Sequence, residues 1–444
     1  MANIAIIGAG VAGLAAAWDL VKHGHRVAIY EAQAEVGGLA AGFKDPRWAW
    51  SLEKFYHHWF QSDRDLLGLA EELGVRQKIF FPRPKTSIWH PDGVFQLDGA
   101  VSALRLPILD PISKVRFGLV MLYLRLTRQW QYLERHTADA WLQRSMGRKV
   151  YELLWKPLLI GKFGTFYDQA NMAWMWARVY SRTTRLGTYE GGFQQFAEDL
   201  AAALRARGVQ IYLNTPVQAI ERQAEGLLLS IDGQPQSFDA VLSTTSPRLV
   251  LKLAPQLEGT YAQKVAALQS IGAVVLVLAL DRQLMTDGTY WLNLPANSPD
   301  RTQNPFPYLA LVEHTNFLER AHYGGDHLVY LGDYVPPEHE YFQMSEAELL
   351  DRFLPALTRV NPSFTRTWVR QHWLFRAPYA QPLPTRNHSQ NLPDLRTPLA
   401  GLYWASMSQV YPWDRGTNYA VEIGRRVARL IMEDMGTAHT KTTE

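Results

Sequence analysis

The stretch from Asn3 to Gly38 reads NIAIIGAGVAGLAAAWDLVKHGHRVAIYEAQAEVGG. It decides the fold. Asn3–Ile7 is a short apolar run of strand type, and Gly8-Ala9-Gly10-Val11-Ala12-Gly13 follows it as a G-x-G-x-x-G. Apolar residues at Val11, Leu14, Ala15, Trp18, Leu20 and Val21 then recur at helical spacing. Gly24 ends that helix, and Arg26–Tyr30 is a second strand closed by Glu31. Strand, glycine turn, helix and strand in register make a dinucleotide fingerprint. Gly8 permits the tight turn, Gly10 lets a pyrophosphate approach the backbone, and Gly13 lets helix and strand pack closely. The helix N-terminus offers free N–H groups to phosphates. Glu31 stands where a carboxylate would hydrogen-bond a ribose hydroxyl. The fold class is α/β.

The Gly37-Gly38-Leu39 that comes next is not part of a plain NAD fingerprint. It resembles the FAD-binding segment of the glutathione-reductase type, in which this pair lies beneath the phosphates and ribityl chain. No second G-x-G-x-x-G occurs, which argues against a separate nicotinamide domain. The chain contains no cysteine, so disulfides, thiol nucleophiles, flavin disulfide chemistry and a cysteinyl flavin link are excluded. Any flavin would be held non-covalently.

Further along, Thr86–His90 and Gly93–Leu97 flank a Pro91-Asp92 turn and predict a hairpin. Pro111–Leu154 reads as helical, and Phe193–Arg207 as an amphipathic helix. Val209–Leu213, Val217–Ile231, Ala240–Thr245, Gly272–Leu280, Tyr308–His314, His327–Leu331 and Gly401–Ser406 read as strands, and Thr417–Met435 as a closing helix. This predicts a discontinuous nucleotide-binding domain from 1–50, 190–250 and 398–436. Residues 51–98 and 251–397 form a mixed-sheet substrate domain, 99–189 a helical subdomain, and 437–444 a polar tail.

At the C-terminus, Gly401-Leu402-Tyr403-Trp404-Ala405 and Tyr411–Ala420 carry a wider resemblance. With the glycine segments, the chain is similar over its whole length to the FAD-dependent amine oxidase superfamily. The branch is that of protoporphyrinogen oxidase, phytoene desaturase and UDP-galactopyranose mutase. The resemblance implies a closing helix whose N-terminus, with Arg415, Gly416 and Asn418, faces the flavin's pyrimidine edge, where a helix dipole would stabilise reduced flavin. Ser406 stands where many relatives have the Asp of a Gly-Asp pair. Tyr189-Glu190-Gly191-Gly192-Phe193 and Pro216-Val217 match a second cofactor segment, in which the residue at Val217 contacts adenine through its backbone. Relatives often place a lysine near flavin N5. Lys85 and Lys264 are available here, and neither is identified as its equivalent.

Phe55–Asp63 contains His57 and His58, and His58 matches the histidine that the mutase holds at its flavin. Adjacent strand residues face opposite ways, so only one of the two should reach the ring. That histidine would polarise the flavin or move a proton near neutral pH. Arg376, ahead of Tyr379-Ala380-Gln381-Pro382, is a candidate for binding a substrate anion. Thr315-Asn316-Phe317 either lines the pocket or caps a turn. Two histidines without acidic companions predict no metal.

Lys+Arg is 45 and Asp+Glu is 42, a balance that does not suggest a nucleic-acid binder. Trp 15, Tyr 20 and Phe 18 suffice to line a chamber for a bulky apolar ligand. The leading expectation is therefore an oxidoreductase that takes a hydride from a bulky small molecule and passes electrons to oxygen or a quinone. A mutase, or an FAD-binding assembly factor, are the alternatives. The N-terminus does not read as a signal peptide, and a cytoplasmic location is expected. Residues 112–130, apolar with Lys114, Arg116, Arg125 and Arg128, are either a peripheral membrane face or a buried helix of the substrate domain.

Overall fold

A computed structural model describes residues 1–441, with side chains through Gly436. Residues 442–444, and the side chains of the rest of the tail expected over 437–444, lie outside the described residues. Five parallel strands form the nucleotide-binding sheet, in the order Gln210–Tyr212, Arg26–Tyr30, Asn3–Ile7, Ala240–Ser243 and Leu402–Trp404. Its central strands read as continuous apolar runs because helices or the neighbouring meander cover both faces. Asn3–Ile7 and Arg26–Tyr30 each bury four of five residues. The helices Val11–Lys22, Phe193–Ala206 and Thr417–Lys441 share one core with this sheet. An antiparallel meander, Val217–Arg222, Leu227–Ile231 and Gln234–Phe238, covers the other face.

The second sheet has seven strands in the order Val369–Pro382, Ser270–Leu280, His327–Val335, Ala310–Glu313, Thr289–Asn293, Lys85–His90 and Gly93–Gln96. The last two are the hairpin, and Thr289–Asn293 runs parallel to Lys85–His90 in an otherwise antiparallel sheet. Alternation along its strands separates two faces. Leu374, Leu276 and Leu331 pack in one core, and Trp373, Phe375, Val277 and Tyr330 in another.

The helical segment is broken more often than its pattern predicts. Pro111–Leu126, Trp130–Leu133, Ala138–Met146 and Lys156–Phe163 are separate helices. Gly147, at φ +83°, ends one of them. Tyr151–Trp155 winds as a π-turn ahead of Pro157, which has no N–H with which to continue the ordinary ladder. Within 99–189, Leu186–Tyr189 is a strand paired with both Trp59–Phe60 and Ile79–Phe80. No helix among the described residues is long and apolar enough to cross a membrane.

Candidate flavin site

The glycine turn forms a cradle. Gly8 sits at φ +107°, and a Cβ on Gly13 would lie 2.2 Å from the Gly8 carbonyl oxygen. Gly10 caps the helix Val11–Lys22 without a side chain. Gly10 and Gly37 are joined by a parallel bridge, and a Cβ on Gly38 would lie 3.1 Å from the Gly10 Cα. The two glycine turns thus meet backbone to backbone at a helix N-terminus, a surface that phosphates can approach and side chains cannot fill. Glu31 is brought to the same place: its Oε2 accepts from the Ala9 N–H at 2.8 Å. The Thr215 N–H donates to the Glu31 carbonyl at 2.8 Å, and the Asn214 N–H to that of Gln33 at 2.9 Å. These bonds carry the chain into Val217 at the start of the meander, beside Glu31. Leu39 leads away from the cradle and packs, partly buried, on the helical core.

From Gly38 the chain runs to Gly42–Phe43, which pairs with Leu52–Glu53. That pairing delivers His57 and His58 past the cradle. The Trp59 indole donates to Thr417 Oγ1 at 2.6 Å, tying the histidine segment to the N-terminus of the closing helix. The two histidines do diverge, but residues 55–58 are not strand, so pleating is not the cause. His57 Nδ1 meets the Phe55 carbonyl at 2.5 Å, with its ring 5.9 Å from Phe193. His58 Nε2 meets the Tyr290 hydroxyl, and its ring lies among Tyr290, Trp291 and Phe317. Phe317 thus belongs to the aromatic cluster around His58. Thr315 and Asn316 bond to backbone groups of Leu328, Met285 and Thr289.

Burial, and after it the positive charges of Arg182, His57, His314 and Lys162, bring His58 down to about 3. Burial also brings His57 down to about 4, against the pull of the Phe55 carbonyl and with a further push from Arg415. Both rings are neutral at pH 7. This corrects the expectation of a histidine that moves protons near neutrality; His58 is a fixed, uncharged hydrogen-bonding group.

A group of which sequence reasoning named only Arg415 stands close by. Lys162 is buried with its Nζ 4.1 Å from the centre of the Tyr334 ring, and Arg415 reaches the Tyr334 hydroxyl. Arg415 Nε also donates to Gln381 Oε1 at 3.1 Å. Asp414 takes the guanidinium of Arg178 and, at 2.9 Å, the Trp174 indole N–H. Burial lowers Lys162 to about 8. Burial raises Tyr334, but Arg415 and Lys162 outweigh it and bring the phenol down to about 8. Behind Tyr334, Arg301 grips Asp333 through two bonds of 2.6 and 2.9 Å and fixes the strand. A lone lysine in the apolar run Leu158–Phe163 was the available signal.

Three predicted site residues are spent elsewhere. Arg376 projects from the sheet face opposite His58, is exposed, and donates to the carbonyls of Tyr341 and Met344. This corrects its expected role as an anion binder in the site. Asn418 gives its side-chain oxygen to the Leu66 N–H at 3.1 Å, within the first turn of helix Arg64–Glu72. Ser406 caps the turn Met407–Gln409 and accepts from the Tyr379 hydroxyl at 3.3 Å. The last two share a cause: a short polar side chain beside unpaired backbone N–H groups satisfies those first. Gly416 remains exposed beside the closing helix. Lys85 pairs with Asp287 at 2.7 Å and Lys264 meets the Gln390 carbonyl, so neither enters the site. Among the described residues no group of three or more His, Asp or Glu could hold a metal ion.

This cradle, with its aromatic chamber, defines a flavin-dependent oxidoreductase fold. The family model described as flavin containing amine oxidoreductase matches residues 11–432, and the chain belongs to that family. FAD is its cofactor, and the two glycine turns, Glu31 and the segment entering Val217 would hold it without a covalent link. The chain is 25% identical over 190 residues to the mitochondrial protoporphyrinogen oxidase of Nicotiana tabacum, covering 42% of this chain and 37% of that protein. It is 28% identical over 279 residues to a polyenoic fatty acid isomerase of Ptilota filicina, covering 54% and 56%. These matches therefore span about half or less of those relatives. A crystal structure of reduced UDP-galactopyranose mutase superposes with a TM-score of 0.73 at 15% identity, over 98% of this chain and 96% of that one, a likeness of fold.

Proposed function

We propose that the protein withdraws a hydride from a bulky, partly apolar substrate, in the manner of a desaturase or protoporphyrinogen oxidase, and passes the electrons to oxygen or a quinone. The aromatic cluster around His58 is the observation that carries this reading. Tyr56 stands edge-on to Trp291 at 4.9 Å and to Tyr330 at 5.9 Å, and Phe317 lies 4.8 Å from Tyr290. Aromatic surfaces of this kind suit ring and polyene skeletons, which bind by apolar area. Bound FAD would supply the hydride acceptor. His58, neutral and fixed by Tyr290, orients by hydrogen bonding, while the Lys162–Tyr334 pair can hold or release a proton near pH 8.

A sugar-nucleotide mutase is the second reading, favoured by the cations Lys162, Arg178 and Arg415 near the histidines. Anaerobic mixing separates the two. Bleaching of the oxidised flavin by a porphyrinogen or polyene, with recovery in oxygen or quinone, supports the oxidoreductase. Many turnovers of sugar-nucleotide isomerisation by pre-reduced protein, without reoxidation, would overturn it.

The reading includes a peripheral membrane face. Ile112, Val115, Leu119, Leu122 and Leu126 are 81%, 62%, 63%, 54% and 70% exposed. Their three- and four-residue spacing places them in one stripe of helix Pro111–Leu126, so this stripe is not the buried helix of the alternative expectation. Arg116 and Arg125 spend their guanidinium groups on backbone carbonyls, and Lys114 shares the helix with the stripe. An apolar stripe of this size suits an anionic bilayer surface.

A further inference from the structure

The second sheet carries a cleft of about 430 Å³ on the face away from His58. That volume lies within the range of small-molecule sites, roughly 300–1,000 Å³. Residues 301–307 form one wall, and the end of helix Glu346–Phe353 with the turn Leu354–Arg359 forms the other. Pro305, Pro307 and Pro355 stiffen both walls. The Tyr341 hydroxyl, also in the lining, donates to the Pro307 carbonyl at 2.8 Å.

The charges of this cleft are one-sided. Arg301, Arg352 and Arg359 line it, and among the described residues no carboxylate does. Arg301 is offset by Asp333. Arg352 gives one bond to Glu340 at 3.0 Å, with both groups exposed. The Arg359 guanidinium makes no ion pair or hydrogen bond among the described residues. Two arginine forks facing one cleft suit a carboxylate or phosphate, which they can hold through paired N–H groups.

The cleft is joined to the far side of the sheet at two points. Successive residues of strand His327–Val335 alternate in direction, so Asp333 faces the cleft and Tyr334 faces the Lys162 side. Arg301 grips Asp333, whose Oδ1 also accepts the Tyr334 N–H at 2.8 Å, and Arg301 itself donates to the Tyr334 carbonyl at 3.3 Å. The second junction is Leu309, just past Pro307. A Cβ on Gly161 would lie 2.0 Å from Leu309 Cδ1, and Gly161 precedes Lys162. The segment that forms one wall therefore bears on both members of the Lys162–Tyr334 pair.

We propose that this cleft is a regulatory site for a small organic anion, with its carboxylate or phosphate on Arg352 and Arg359 and a planar body against the prolines and Tyr341. Occupancy braces residues 301–307 and is felt at Tyr334 and Lys162. The site goes beyond the oxidoreductase reading; its coupling rests on the flavin lying beside that pair.

Isothermal titration calorimetry of the FAD-loaded full chain with phenyl phosphate, benzoate and benzyl alcohol reads binding, and flavin absorbance in a parallel titration reads the coupling. The two anions should bind about tenfold or more tightly than the alcohol, and their order identifies the anionic group. Arg352→Gln and Arg359→Gln should each weaken anion binding about tenfold and leave the flavin spectrum of the unliganded protein unchanged. In the parent the flavin bands should shift and saturate with binding, and Leu309→Ala should keep the affinity while reducing that shift. No binding, anions that bind no better than the alcohol, or arginine variants that bind as the parent does would overturn the site. Saturable binding with unmoved flavin bands would overturn the coupling. Neither titration needs turnover, so their failure is separable from a failure of the bleaching assay.

Discussion

Replacing Glu53 with glutamine should stabilise the protein, and more so as the pH rises. Glu53 is 4% exposed, and its Oε1 accepts from the Phe193 N–H at 3.1 Å at the start of a helix. Burial raises its carboxyl from 4.5 to about 7, against the pull of the N–H groups of Phe193 and of Glu53 itself. The unfolded carboxyl ionises near 4.5 and the folded one near 7, so folding takes up a proton between those values. Stability therefore falls as pH rises through that window and levels off above it. Each pH unit of displacement is worth ~1.4 kcal/mol, so the full effect amounts to ~3 kcal/mol. Glutamine keeps an acceptor for Phe193 and cannot ionise. Urea denaturation of both proteins with excess FAD, from pH 4.5 to 8, should show Glu53→Gln gaining on the parent by ~3 kcal/mol in total, with most of the gain below pH 7. A difference that stays flat across this range, or shrinks as pH rises, would refute the reasoning.

Gly10→Val places methyl groups where two glycine turns meet and a pyrophosphate must approach; the purified protein should be colourless and should not regain FAD absorbance on reconstitution. Asp333→Asn leaves Arg301, 5% exposed, without its counter-charge, and should cost ~3–5 kcal/mol in chemical denaturation. Parent protein should co-float with anionic liposomes at low salt, and the pair Ile112→Glu and Leu119→Glu should abolish flotation while leaving the flavin spectrum intact; equal flotation of the variant would exclude this helix as the contact.

The glycine turns, Glu31 and the βαβ opening were legible because local rules govern them: a left-handed turn, a close helix–strand approach and an apolar alternation are written within forty residues. His57 and His58 were singled out by a resemblance of segment; the divergence of their rings was expected from strand alternation, which residues 55–58 do not have. Their ionisation was not legible, because burial and Arg182, Lys162 and Arg415 set it from distant parts of the chain. The Lys162–Tyr334–Arg415 group joins residues more than 80 positions apart at each step, so no spacing announces it. Arg376 misled because its motif says nothing of which sheet face it takes; Leu374, two residues earlier, packs on the face away from the chamber. The side-chain partners of Ser406 and Asn418 were not legible because capping backbone groups and binding a ligand draw on the same short polar side chains.

The nucleotide-binding sheet is stitched from both ends of the chain, and this bears on how the protein is made. Helix Val11–Lys22 leaves the ribosome early, yet its partner Thr417–Lys441 comes about 400 residues later. The two meet so closely that a Cβ on Gly424 would lie 2.3 Å from the Ala12 carbonyl oxygen. At ~5–20 residues per second the first helix waits ~20–80 s for that neighbour. The strand Ala240–Ser243, made partway through that interval, waits about 160 residues for its edge partner Leu402–Trp404. The nucleotide-binding sheet is therefore complete only once segments far apart in the chain have all been made.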